Sequence, residues 1–105
     1  MTHPKRVAAI EAGGTKFIVG VGQPESIAAQ CTRIATRSPR ETLSQLLNYL
    51  RAEHKKEAFS AIGVGSFGPL GIDPTHSNFG VIGPTTKPHW SRVSYPAVLS
   101  EFEVP

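Results

Sequence analysis

A chain of 105 residues holds one domain at most and buries only a moderate core. Its net charge of +3 comes from eleven basic residues scattered among eight acidic ones, with no Lys/Arg run interleaved with aromatics. That leaves a small anionic ligand open and sets aside nucleic acid as a partner.

Cys31 is the only cysteine, so an internal disulfide is excluded, and one thiol with four unspaced histidines makes no zinc site. Cys31 reads as a small buried apolar side chain. No apolar stretch is long enough for a membrane span or a signal-peptide core, and the chain reads as cytoplasmic. Ten glycines and nine prolines spread without a period predict many turns and neither collagen nor a disordered tract.

In chain order, Lys5 to Glu11 reads as a first strand and Lys16 to Gly22 as a second. Both are rich in β-branched and aromatic residues. Gly22-Gln23-Pro24-Glu25 is a turn, and Ser26 to Ile34 a third strand. The sheet over 5–34 is then an antiparallel meander. A helix is predicted over 39–55. Ser38 is its N-cap, Pro39 its first residue, and Glu41 completes a Ser-x-x-Glu capping box. Leu43, Leu46, Leu47 and Leu50 recur on one apolar face, opposite Ser44, Asn48, Arg51 and Lys55. His54 and Lys55-Lys56-Glu57 form a solvated helix end. A fourth strand over 59–65 follows, and the helical crossover predicts that it lies parallel to an earlier one. The class is therefore α/β. Residues 66–92 are irregular loops, held in order by their aromatic and proline content, and 95–102 is a short helix with Val98, Leu99 and Phe102 apolar.

The chemistry concentrates in three stretches. In Ile10-Glu11-Ala12-Gly13-Gly14-Thr15-Lys16, two strands meet at a Gly-Gly pair. Glycine reaches φ > 0 freely, which hairpin turns ask for, so a plain hairpin accounts for these residues on their own. A sharper reading is that bare backbone lets an anion into a nest of N–H groups, with the Thr15 hydroxyl and the Lys16 charge beside it. Neither a Walker A loop nor a dinucleotide fingerprint is present. Gly65-Ser66-Phe67-Gly68-Pro69-Leu70-Gly71 lies at the carboxyl end of a parallel strand, where open α/β sheets bind ligands. Asp73, the only aspartate, sits in an Asp-Pro turn and reads as a turn former, a poor place for a buried base.

Three segments together resemble the ROK family of sugar kinases, in its fructokinase branch. They are Ile10 to Lys16, Gly63-Val64-Gly65-Ser66-Phe67-Gly68-Pro69 and Thr85-Thr86-Lys87-Pro88-His89-Trp90, in the family's order and spacing. The resemblance implies the amino-terminal part of an actin-like ATPase (ribonuclease H-like) domain. It also implies transfer of the γ-phosphoryl of Mg-ATP to the 6-hydroxyl of a hexose, fructose by its branch. It assigns Gly13, Gly14, Thr15 and Lys16 to the nucleotide phosphates. Gly65, Ser66, Phe67, Gly68 and Pro69 fall to the sugar pocket, with Lys87, Pro88 and Trp90 at its outer wall. Glu11 stands at a position tied to the Mg2+ ion, with pairing to Lys16 as the plain alternative. The family's catalytic base, an aspartate, belongs to the strand expected beyond Pro105. Its zinc ligands and adenine-binding domain lie further on. The chain is thus expected to be a fragment of a kinase about three times its length. It would be inactive alone, and the free edge of its fourth strand would invite pairing with a second copy. The alternative is a non-catalytic sugar- or phosphate-binding module, or the sugar-sensing part of a ROK regulator. Only nine residues precede Ile10, too few for a repressor's winged helix.

Overall fold

The computed structural model describes residues 6–25, 27 and 31–105. Strand β1 (Val7–Ala12) pairs antiparallel with β2 (Lys16–Gly22), and β2 pairs antiparallel with β3 (Cys31–Ala35). Helix α1 (Pro39–Lys56) then crosses over, and β4 (Ala61–Ser66) returns parallel to β1. The sheet order is β3-β2-β1-β4, the meander plus parallel strand that the sequence predicts. Lys5, Ser26 and 28–30, expected within strands, lie outside the described residues.

The two-residue period of the strands divides the sheet into a core face and an open face. Ala8, Ile10, Ala12, Phe17, Val19, Val21 and Ile34 are buried in one cluster with Leu46 and Leu50 of α1. Ala9, Glu11, Gly63 and Gly65 are exposed. Leu46 and Leu50 have no exposed surface, and each such leucine contributes about 1.5–3 kcal/mol.

The helix face is rotated from the one expected. Leu43 and Leu47 are only partly buried, and the deep line is Thr42, Leu46 and Leu50. Thr42 belongs there because its hydroxyl is satisfied: it donates to Ala35 O at 3.1 Å and accepts from Arg37 N at 2.7 Å. The cap is as expected, with Ser38 Oγ accepting from Glu41 N at 3.2 Å. His54 is not solvated. It is half-buried, with its ring 4.9 Å from Phe59 and 5.3 Å from Phe102, and its Nδ1 accepts the Phe59 N–H at 3.0 Å. A side chain also holds the carbonyls of this helix end. Arg6 donates to Glu53 O at 2.7 Å and to Glu57 O, and pairs with the Glu53 carboxylate at 3.0 Å. Cys31 is exposed rather than buried. It stands three residues from Ile34, so the strand's alternation turns it away from the core.

After β4 the chain is irregular but tied by isolated bridges, Leu70 to Ile82, Gly71 to Phe79 and Val81 to Ser94. The expected last helix divides into α2 (Tyr95–Leu99), capped by Ser94, and a 3₁₀ turn, Ser100–Phe102. The outer edge of β4 bounds an apolar groove of about 640 Å³, lined by Ile62, Val64, Leu70, Ile72, Tyr95 and Leu99 among others. At one end of it the Ile62 N–H donates to Pro105 O at 2.8 Å. Among the described residues, no helix is long and apolar enough to cross a membrane.

Candidate functional site

The corner between β1 and β2 is built by strand pairing. Ala12 opposes Phe17, and Gly13 N donates to Lys16 O at 2.9 Å, which leaves Gly14-Thr15 at the tip. Neither Gly13 nor Gly14 has a left-handed φ; the positive-φ glycines are Gly22 and Gly80. The expectation of φ > 0 at this turn is therefore corrected, and the need for glycine is one of space. A Cβ on Gly13 would lie 2.8 Å from Lys16 O, whereas a Cβ on Gly14 would meet nothing within 4 Å. The region above Gly14 is open, and Gly14, Thr15 and Lys16 are all exposed.

Thr36, just past β3, holds the corner from below. Its hydroxyl donates to Gly13 O at 2.8 Å and its N–H to Thr15 O at 3.0 Å. The N–H groups of Gly14 and Thr15 make no hydrogen bond among the described residues. Two successive free donors, a hydroxyl and a lysine at an open corner suit an oxyanion such as a phosphate.

Glu11 is exposed, opposite Ile18 and beside Gly65 in the sheet. Among the described residues no ion pair joins it to Lys16, so the plain alternative for Glu11 is not formed. These residues hold no cluster of three or more His, Cys, Asp or Glu that could cage a metal. A lone exposed carboxylate two residues from this open corner still fits Mg2+. That ion takes one or two carboxylates and fills its octahedron with phosphate oxygens and water.

Parallel pairing brings the second stretch to the same end of the sheet. Ala12 pairs with Ser66, and Phe67 N donates to Ala12 O at 2.8 Å. Gly65, Gly68 and Pro69 are exposed. Ser66 is engaged elsewhere: its Oγ lies 2.8 Å from Tyr95 Oη and donates to Phe67 O at 2.9 Å. Burial pushes the Tyr95 hydroxyl above its ordinary value, with the Ser66 bond pulling the other way.

The third stretch docks on the second. Gly83 N donates to Pro69 O at 2.7 Å, and Trp90 N closes a turn on Lys87 O at 3.3 Å. Lys87 is half-buried and Pro88 exposed. Trp90, expected on an outer wall, has no exposed surface. Its ring sits 5.6 Å from Phe17 and 5.6 Å from Phe67, and so joins the two glycine-rich stretches from inside the core. Asp73 is the turn former expected. Thr75 donates to its carboxylate through N at 2.9 Å and Oγ1 at 2.8 Å, which holds that carboxyl below the usual range.

Sequence reading missed Thr36, Thr42 and Tyr95. Each works through a hydroxyl to a partner in another element or junction, a contact that leaves no periodic trace. The position of Thr36, between a strand and a capped helix, is the one local signal.

No protein-family model matches the chain. It is 34% identical over 103 residues to a fructokinase from Streptococcus mutans, covering 96% of this chain and 34% of that protein. It is 36% identical over 100 residues to a fructokinase from Pediococcus pentosaceus, covering 94% and 33%. Among solved structures, a ROK-family protein from Streptococcus pneumoniae in complex with sucrose superposes with a TM-score of 0.68 and 25% identity. That match covers 95% of this chain and 32% of the other. This chain resembles a fructokinase-type member of the ROK family. The α/β fold of the fructokinase-like chain agrees with that neighbour, and the chain spans about a third of the length of the curated relatives it matches.

Proposed function

We propose that residues 1–105 form part of the amino-terminal domain of an ATP-dependent hexose kinase that phosphorylates fructose to fructose 6-phosphate in the cytoplasm. The carrying observation is the parallel β1–β4 register, which sets the open Gly13–Lys16 corner beside the Gly65–Pro69 loop. Phosphoryl transfer is mostly positioning and charge stabilisation, so a phosphate cradle next to a sugar-facing loop is the arrangement it needs. Bound Mg-ATP supplies the transferable phosphoryl group. In this reading the N–H groups of Gly14 and Thr15 bind phosphate oxygens, and Lys16 offsets their charge. Glu11 holds the metal. Gly65, Gly68 and Pro69 face the hexose, with Lys87 and Pro88 at the rim. Ser66, Phe67 and Trp90 support that surface from behind.

The outer edge of β4, beyond the bond from Ile62 N to Pro105 O, is the surface through which two copies of this chain would pair. Beside it Ile72 is 81% and Phe79 45% exposed, more apolar surface than an edge left to water usually carries. Sedimentation showing a concentration-dependent dimer supports this, and a monomer at all concentrations refutes it.

The test of activity is a chimera in which residues 1–105 replace the matching third of the Streptococcus mutans fructokinase. ADP release in a coupled assay with fructose is expected from the chimera and not from the 105-residue chain alone. Robust turnover by the short chain overturns the fragment reading. A folded chimera without turnover overturns the kinase reading, and fructose binding without transfer then favours a non-catalytic module.

A further inference from the structure

We propose that Thr36 is the positioning residue of the phosphate corner: its hydroxyl, by holding the Gly13 carbonyl, aims the Gly14 N–H at the bound anion. This rests on the phosphate-binding reading above. The C=O of Gly13 and the N–H of Gly14 belong to one peptide unit. In a planar trans peptide they point in opposite directions. Thr36 Oγ1 donates to Gly13 O at 2.8 Å, so the Gly14 N–H is turned away from Thr36. Gly14 itself is exposed, and a Cβ on it would meet no atom within 4 Å. The second bond, from Thr36 N to Thr15 O at 3.0 Å, braces the far end of the same tip. Any residue but proline could supply that N–H, whereas the first bond needs a side-chain donor, here the hydroxyl.

The arrangement is preorganised. A corner free to rotate its peptide would lose part of its affinity in ordering that unit on binding. A corner already held by Thr36 does not. The same residue is fixed from below. Next to it, Arg37 N donates to Thr42 Oγ1 at 2.7 Å, and Arg37 O accepts from Trp90 Nε1 at 2.8 Å. The position of the free N–H is thus set by the core, and Thr36 is the link between them.

The experiment titrates inorganic tripolyphosphate into the ¹⁵N-labelled 105-residue chain and follows the Gly14 and Thr15 amide resonances. The chain as it stands and Thr36→Ser should show saturable shifts with similar affinity. Thr36→Val keeps the shape and the backbone bond but loses the hydroxyl, and should bind about threefold to tenfold more weakly. Thr36→Ala serves the same purpose if the valine variant fails to fold. Thr75→Val, which removes a hydroxyl bonded to the Asp73 carboxylate and outside the corner, should leave the affinity within twofold. Equal affinity in the hydroxyl-bearing and hydroxyl-free variants overturns the positioning role while the phosphate reading stands. An equal loss in Thr75→Val also overturns it, since the effect is then general. Absence of any shift in the unaltered chain overturns the phosphate reading, and the positioning role with it.

Discussion

The indole N–H of Trp90 donates to the carbonyl oxygen of Arg37 at 2.8 Å, across 53 residues of sequence. This bond joins the strand-to-helix junction after β3 to the last of the three motif stretches. The same indole touches Phe17 and Phe67, so one buried side chain meets every segment that frames the candidate site.

Removing that indole should be felt throughout. Trp90→Phe deletes the bond and strands the Arg37 carbonyl, with an expected loss of about 1–3 kcal/mol. Trp90→Ala adds a cavity and should lose about 3–5 kcal/mol. Urea unfolding followed by far-ultraviolet circular dichroism measures both. Against a typical domain stability of roughly 5–15 kcal/mol, the alanine variant should be visibly compromised. Unchanged midpoints would show that the indole is not the tie described.

The two glycines of the corner should separate stability from binding. Gly13→Ala forces a Cβ to 2.8 Å from a backbone oxygen and should lower the urea midpoint. Gly14→Ala enters open space and should change stability by less than about 0.5 kcal/mol, while obstructing an approaching phosphate. Calorimetric titration with tripolyphosphate should show weaker binding for Gly14→Ala at near-normal stability. Full affinity in that variant would refute the corner as the anion site.

Thr42→Val should destabilise the fold by about 1–3 kcal/mol, because Ala35 O and Arg37 N lose their shared partner in a fully buried place. Thr42→Ser should recover most of the loss. A valine variant as stable as the parent chain would mean that water replaces the hydroxyl.

Both tyrosines should titrate late. Burial raises Tyr95 above its ordinary 10.0, and it raises Tyr49 as well, aided by the Glu53 charge. A folded value above the unfolded one means the folded chain keeps the proton that the unfolded chain releases. The resulting stability is intact below about pH 10 and falls as pH rises from there through the folded value. Tyrosinate absorbance titrations with and without urea test this. The native midpoints should lie higher, and coincident curves would refute it.

Much of the fold was legible. Ser38, Pro39 and Glu41 mark the helix start because capping is local chemistry, and alternation marks β1 and β2. The helix's deep face was read one position off, because hydrophobicity alone cannot show that Thr42 finds two backbone partners. Cys31 was misplaced because its type suggests burial while its register in an edge strand decides exposure. At the site, the open corner could be read from glycine, but the reason for each glycine could not. Trp90 reads as surface or core alike until the turn at Lys87 folds it inward. Thr36 could not be assigned because its role lies in bonds to a corner more than 20 positions away in the chain, with the hydroxyl bond spanning 23.

Trp90 is the sequence's single tryptophan. Its emission therefore reports one location without any attached dye, the place where its ring meets Phe17 and Phe67. A shift in colour or intensity on adding nucleotide or sugar would register strain passing inward from whichever loop was touched, which makes this molecule its own spectroscopic gauge.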